Sequence, residues 1–307
     1  VSGITPAEFT DTEGRPMKLL SLPAVPVEAV TEWVGRQVKQ RVPEADMNER
    51  DPEFIARMLG PTWELVRLYF RPDVRGLERI PERGPVLVVG NHSGGNTSPE
   101  VIVTALAFNR HFGPRRPFYQ LAHNLVMLVP ILGPVLGKWG TIAANPESAR
   151  SALRSGATVL VYPGGDWEVH RPAWEGDRID FAGRTGFLRL AWQENVPIVP
   201  MVNYGAHQNH LILTRGDRLA RLLRLDRMLR LKVFPISLAV PWGLNISDLA
   251  GHLPLPVKVT IEFLEPVDLR AELGPEPDWE RAYDHITGIM QRALSRLADE
   301  ADLPIIG

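Results

Sequence analysis

The chain has 307 residues, with 34 Lys+Arg against 36 Asp+Glu, 44% hydrophobic residues, 28 Pro, 26 Gly and no Cys. That length and balance fit a folded globular chain of one large or two small domains and exclude disordered and collagen-like classes. A formal charge of -2 argues against a general nucleic-acid binder, and the lack of Cys removes thiol nucleophiles, iron–sulfur clusters and cysteine zinc sites.

In chain order, Val1–Leu20 carries Glu8, Asp11, Glu13, Arg15 and Lys18, so no secretory signal is expected there. Val30, Val34 and Val38 recur every four residues, and Phe54, Met58, Leu59, Trp63, Val66 and Phe70 keep a similar period. Both predict a helical N-terminal region over residues 1–73, ahead of a second region over 74–307. Val86–Val89 is a short, β-branched, wholly apolar run stopped by Gly90, as a strand buried on both faces requires. Phe118–Leu121, Thr158–Tyr162, Ile198–Val202 and Val257–Phe263 read the same way, with helices predicted over Pro99–Phe108, Pro146–Arg154, Gly186–Gln193 and Trp279–Ala298. Strand and helix alternate, which predicts an α/β sheet covered by helices. The longest apolar stretches, Leu125–Gly137 and Val233–Leu244, are broken by prolines and fall short of the about 18 residues of a spanning helix.

Two loops carry the candidate chemistry. After the first strand comes Asn91-His92-Ser93-Gly94-Gly95-Asn96-Thr97-Ser98-Pro99-Glu100. A His at the carboxyl end of a buried strand lies where α/β sheets place ligands, and its intrinsic pKa suits a general base. It also reads as a loop histidine bonded to its own turn. The second loop is Tyr162-Pro163-Gly164-Gly165-Asp166-Trp167-Glu168, ending at Arg171. Its paired glycines let backbone pass close to a ligand, or it is a turn whose charges face water. Further on, Arg215–Lys232 interleaves Arg215, Arg218, Arg221, Arg224, Arg227 and Arg230 with leucines, and the apolar run Val233–Leu244 continues it. Such a segment reads as a basic amphipathic helix on a membrane surface, or as a helix packed on the sheet with a solvated arginine face. His207 and His210 share one helical face, but no acidic third ligand lies near them in sequence, and no metal is expected. There is no Gly-x-Ser-x-Gly elbow, Walker loop or dinucleotide fingerprint.

Val86–Gly95, Tyr162–Arg171 and Val196–Val202, preceded by Arg71–Glu78, resemble blocks of the glycerolipid acyltransferase superfamily, the lysophosphatidic acid acyltransferase-like fold. The resemblance implies an acyltransferase domain over 74–307, a mixed sheet flanked by helices. It implies transfer of a fatty acyl group from acyl-CoA, a co-substrate and not a cofactor, to a hydroxyl of a neutral glycerolipid, glycolipid or lysophospholipid, with His92 as general base. The family pattern places an Asp five residues after the His. Here that position is Thr97, so Glu100 is named as the partner, against its reading as a first-turn Glu favoured by the helix dipole. In the third block, Phe-Pro-Glu-Gly-Thr-Arg of phosphate-recognising members becomes Tyr162-Pro163-Gly164-Gly165-Asp166-Trp167, which looks closer to the diacylglycerol and wax-ester branch. Loss of that Arg removes a bidentate phosphate clamp, unless Arg171 or Arg184 replaces it.

By the same resemblance the substrate-binding set is Asn91, Ser93, Gly94, Gly95, Pro163, Gly164, Gly165, Asp166, Glu168 and Arg171, with Lys138 for a coenzyme A phosphate. The amides of Gly94–Gly95 or Gly164–Gly165 are candidates for the oxyanion, and Phe118–Ala144 for an acyl-tunnel wall or plain core. Expected partners are acyl-CoA, the lipid acceptor and a membrane surface through Arg215–Leu244, with no nucleic acid and an oligomeric state that is not legible. The expected location is cytoplasmic, peripheral to a membrane. Two rivals are a lipid esterase or thioesterase, and a noncatalytic lipid-binding protein suggested by Thr97.

Overall fold

Because Val86–Gly90 is apolar on both faces, it needs a core on each side. The computed structural model describes residues 46–123, 126, 132–225, 233–248, 251–274, 276 and 278–301. Within them the strands are β1 (Asp73–Arg75), β2 (Val86–Gly90), β3 (Phe118–Ala122), β4 (Thr141–Ala143), β5 (Thr158–Val161), β6 (Ile198–Tyr204), β7 (Leu211–Thr214), β8 (Ile236–Ala239), β9 (Gly243–Ile246) and β10 (Thr260–Phe263). Seven of them form one sheet in the order β1-β10-β6-β2-β5-β3-β4, and β7-β8-β9 form a second. Strands β6, β2, β5, β3 and β4 run parallel, while β10 runs antiparallel to β6 and carries β1 parallel to itself. The main sheet is therefore mixed, as expected.

Period-two alternation divides the core. Val86 and Val88 pack with Val66 and Phe70 of α1 (Pro52–Phe70) and with Val103, Leu106 and Phe108 of α2 (Pro99–Phe112). Leu87 and Val89 face the opposite way, onto Ala149 and Leu153 of α4 (Pro146–Arg154), Leu188 of α6 (Gly186–Glu194), and Ile286, Met290 and Leu294 of α9 (Trp279–Asp299). Helix starts follow local chemistry: Asp51 accepts the amide of Phe54 at 2.8 Å and Asn145 that of Ser148 at 2.8 Å, each with Pro at the first helical position.

Short elements complete the chain: α3 (Leu132–Lys138), α5 (Gly165–Val169), α7 (Asp217–Leu222) and α8 (Leu269–Leu273). Val30, Val34 and Val38 lie outside the described residues, as do residues 226–232 of the predicted basic helix. Val233–Leu244 does not continue that helix. Pro235 and Pro241 forbid it, and the run instead supplies β8 and the first residues of β9. Among the described residues no helix is long and apolar enough to cross a membrane.

The segment 206–259 leaves the sheet after β6 and rejoins it before β10 at touching positions. A Cβ built on Gly205 would collide with the carbonyl oxygen of Lys258, and the glycine holds φ +91. Gly156 has a similar φ, +84, in open space. Gly156→Ala is thus expected to carry only the left-handed backbone cost of about 1–2 kcal/mol, and Gly205→Ala clearly more. Urea unfolding of both variants measures the difference, and equal losses would remove the packing argument.

Candidate active site

Parallel strands end on one side of a sheet, so loops following adjacent strands meet there. His92 follows β2, Tyr162–Arg171 follows β5 on one side of it, and Asn203 lies near the end of β6 on the other. His92 Nδ1 stands 2.7 Å from Glu100 Oε1, with the imidazole 18% exposed and the carboxylate fully buried. The turn 94–98 makes this possible. Gly94, Gly95 and Ser98 all adopt positive φ, which folds the chain back so that Glu100, in the first turn of α2, points at the imidazole. Glu100 Oε1 also accepts the Ser93 amide at 3.0 Å, and its Oε2 has no hydrogen-bond partner among the described residues. A buried carboxylate so placed accepts Nδ1–H, which fixes the ring's tautomer and leaves Nε2 with its lone pair. The Tyr162 ring stacks on the imidazole at 4.5 Å and 20°.

Two further contacts lock the backbone around His92. Asn91 is buried and paired with Asn203. Asn91 Nδ2 donates to Asn203 O at 2.9 Å, the Asn203 amide donates to Asn91 Oδ1 at 2.7 Å, and Asn203 Nδ2 donates to Asn91 O. Ser93 Oγ donates to Asn203 Oδ1 at 2.8 Å. Asn91 and Ser93 are thus engaged within the protein, through a residue that sequence reasoning missed. Nothing local marks Asn203, which follows an apolar run like many others.

Glu168 supplies the second lock. Its Oε2 accepts the His92 amide at 2.9 Å, and its Oε1 accepts Arg171 Nη2 at 3.0 Å and the Asp180 amide at 3.2 Å. Both oxygens bond within the protein and the side chain has no exposure. Arg184 holds the glycine turn from outside. Its Nη1 donates to the carbonyls of Pro163 at 2.9 Å and Gly164 at 2.6 Å, and its Nη2 to Asp166 Oδ1 at 3.0 Å. The Gly165 amide donates to Tyr162 O at 3.1 Å. Lys138 is not part of this group. It precedes β4, three strands from β2, with its ammonium 4.9 Å from the Phe54 ring centre. Arg215, expected to face lipid, is instead buried. It pairs with Glu175 at 2.5 Å and donates through Nε to Trp167 O at 2.8 Å, so it braces the same loop.

An acyltransferase family model matches residues 71–204, the stretch that holds His92, Glu100, Glu168 and Asn203. The chain is 31% identical over 218 residues to an uncharacterized protein of Mycobacterium tuberculosis, a match covering 71% of this chain and 58% of that one. It is 28% identical over 192 residues to the "DGAT1/2-independent enzyme synthesizing storage lipids" of Bos taurus, covering 62% of this chain and 55% of that protein. Over residues 71–204 the chain is thus similar to the acyltransferase family. The match spans little more than half the length of these curated relatives. Among solved structures, the 1-acyl-sn-glycerophosphate acyltransferase PlsC of Thermotoga maritima matches 88% of this chain and 93% of its own, with TM-score 0.47 and 17% identity.

Burial raises the Glu168 carboxyl from 4.5 to about 7, outweighing the opposing pull of Arg171 and of the amide bonds from His92 and Asp180. The folded state therefore holds a proton that the unfolded chain releases, and stability from this group is fully present below pH 4.5 and lost as pH rises through 7. Relative to Glu168→Gln, the wild-type chain is expected to lose on the order of 3 kcal/mol of unfolding free energy across that window. Urea titrations at both ends check it, and a pH-independent difference would contradict it.

Proposed function

We propose that this protein transfers a fatty acyl group from acyl-CoA to the hydroxyl of a neutral lipid at a membrane surface, with His92 as general base and Glu100 as its positioning residue. The observation that carries this reading is the 2.7 Å contact between a partly exposed imidazole and a fully buried carboxylate at the carboxyl end of β2. His92 Nε2 takes the acceptor's hydroxyl proton as that oxygen attacks the thioester carbonyl. Collapse of the tetrahedral intermediate breaks the C–S bond, and the imidazolium returns the proton to the leaving thiolate. Glu100 stabilises the imidazolium between these steps. Amides of the Gly94–Gly95 turn are our candidates for the oxyanion, since the Gly165 amide is already bonded to Tyr162 O.

A neutral acceptor is favoured because both arginines that could replace the phosphate clamp have partners: Arg171 holds Glu168, and Arg184 holds the glycine turn. A lipid surface is favoured by the small sheet, whose alternation is inverted. Leu211, Leu238 and Leu244 face one another across β7, β8 and β9 and are exposed with Ile246, Val240 and Trp242, while Ser237 and Asn245 point inward and are buried. A strand pair meant for water shows the reverse.

With radiolabelled long-chain acyl-CoA and a panel of lipid acceptors, His92→Ala is expected to lower acyl transfer by about 10²–10⁴-fold. Glu100→Gln should lower kcat by at least tenfold with KM little changed. Wild-type rates from the first variant would sink the catalytic reading; wild-type rates from the second would remove only the partner.

Replacing Leu238 and Leu244 together with Asn is expected to weaken sedimentation with phosphatidylcholine vesicles by at least about tenfold, since burying each leucine is worth about 1.5–3 kcal/mol. Turnover of a short-chain, water-soluble donor and acceptor should be unchanged. Undiminished vesicle binding would exclude this face.

A further inference from the structure

Behind the Gly94–Gly95 turn, on the side where the 206–259 segment packs, lie two buried imidazoles that the chemistry above does not use. His210 and His252 stack with ring centres 4.0 Å apart and planes 27° apart. Each has its Nδ1 engaged: His210 Nδ1 with Asn209 Oδ1 at 2.5 Å, and His252 Nδ1 with Asp248 Oδ1 at 2.9 Å. Both acceptors are oxygens that want a hydrogen, so in the neutral rings the proton sits on Nδ1 and Nε2 presents a bare lone pair. Both Nε2 atoms are buried, and neither has a hydrogen-bond partner among the described residues. An unmet acceptor in a protein interior is costly, and here two occur side by side.

Asp248 completes the set. Its Oδ1 accepts from His252 and, at 2.8 Å, from Asn245 Nδ2, while its Oδ2 accepts the Asn96 amide at 2.8 Å. Each carboxylate oxygen has two acceptor sites, so Oδ2 keeps one. The missing side chain of Gly95 leaves room between the groups. A Cβ there would lie 2.8 Å from His210 Nε2 and 2.9 Å from Asp248 Oδ2, and would fill the space that the two atoms border. One ligand atom from each of His210, Asp248 and His252 lies within 4.8 Å of the others. Ligands sharing one ion at about 2.1 Å are at most about 4.2 Å apart, so the set needs to close by no more than roughly half an ångström to grip an ion.

We propose that His210, His252 and Asp248 form a binding site for a divalent first-row transition ion such as zinc. Two neutral imidazoles and one carboxylate suit zinc, cobalt or iron and not magnesium or calcium, which take oxygen ligands. The Nδ1 contacts to Asn209 and Asp248 are the outer bonds that orient metal-ligating histidines. Sequence spacing conceals the site, because the acidic ligand is 38 residues beyond His210 (248 − 210 = 38) and arrives only when β8 and β9 fold back. The ion would tie the turn three residues after His92 to the 206–259 segment. This inference does not depend on the acyltransferase chemistry.

The test uses untagged full-length protein stripped with chelator and titrated with Co²⁺. Visible d–d absorption saturating at one ion per chain, its loss on adding Zn²⁺, and a higher melting temperature with either ion are the expected results. His210→Gln and His252→Gln should abolish the absorption while keeping a cooperative melt, and His207→Gln, which removes a half-buried histidine facing Asp177, should retain it. No Co²⁺ absorption and no melting shift in the stripped wild-type chain would overturn the proposal, whatever the variants do. So would absorption lost in His207→Gln but kept in the other two.

Discussion

A carboxylate with no exposure, set 2.7 Å from an imidazole that is partly open, is the constraint around which this fold is arranged. Burying a charge is costly unless it is met by an opposite charge or by hydrogen bonds. Glu100 has one amide donor and the imidazole, and its other oxygen has no partner among the described residues. The site therefore keeps a standing demand for positive charge beside it, and the ring that can meet the demand is the ring that touches solvent. The cost is carried by the sheet, by α1 packed with α2, and by the polar bonds that hold the loop closed.

Those bonds come from both neighbours of β2. Asn203 reaches in from β6 and Glu168 from the loop after β5, and each holds main-chain groups next to His92 instead of the ring itself. The imidazole is thus placed by its backbone, with Tyr162 stacked on one face. Arg215, Arg184 and Arg171 in turn hold the loop that carries Glu168. Charge in this protein is used largely for bracing, which explains why a near-zero total conceals so many arginines close to one site.

Much of this architecture is legible in the sequence because strands buried on both faces leave continuous apolar runs. β2, β5 and β6 follow the predicted runs closely, and helices α4, α6 and α9 begin where predicted. The hidden parts have physical reasons. Strand β4 is three residues long and sits at the edge of the sheet, too short for any period. In β8 the alternation is inverted, with polar Ser237 buried and Leu238 exposed, so the pattern points the wrong way for a core strand and Ile236–Ala239 reads as a continuation of the arginine-rich stretch. An amphipathic pattern also cannot tell an arginine facing solvent from one facing Glu175, and Arg215 is the second kind. Glu100 is reachable by spacing, since it opens the helix after His92. Asn203 is not, because its partner lies 112 residues away.

The touching ends of the 206–259 segment have a consequence for how such a scaffold can change. Since Gly205 and Lys258 meet as neighbours, the register of β6 with β10 does not depend on the length of chain between them. Among the described residues, that stretch meets the two loops around His92 through Asn209 on the Gly94 carbonyl, Asp248 on Asn96, the His252 carbonyl on Thr97, and Arg215 on Trp167 O and Glu175. Replacing that stretch with another surface leaves the sheet's register intact, but holds His92 in place only if the replacement keeps the grip of Asn209, Asp248 and Arg215 on the flanking loops.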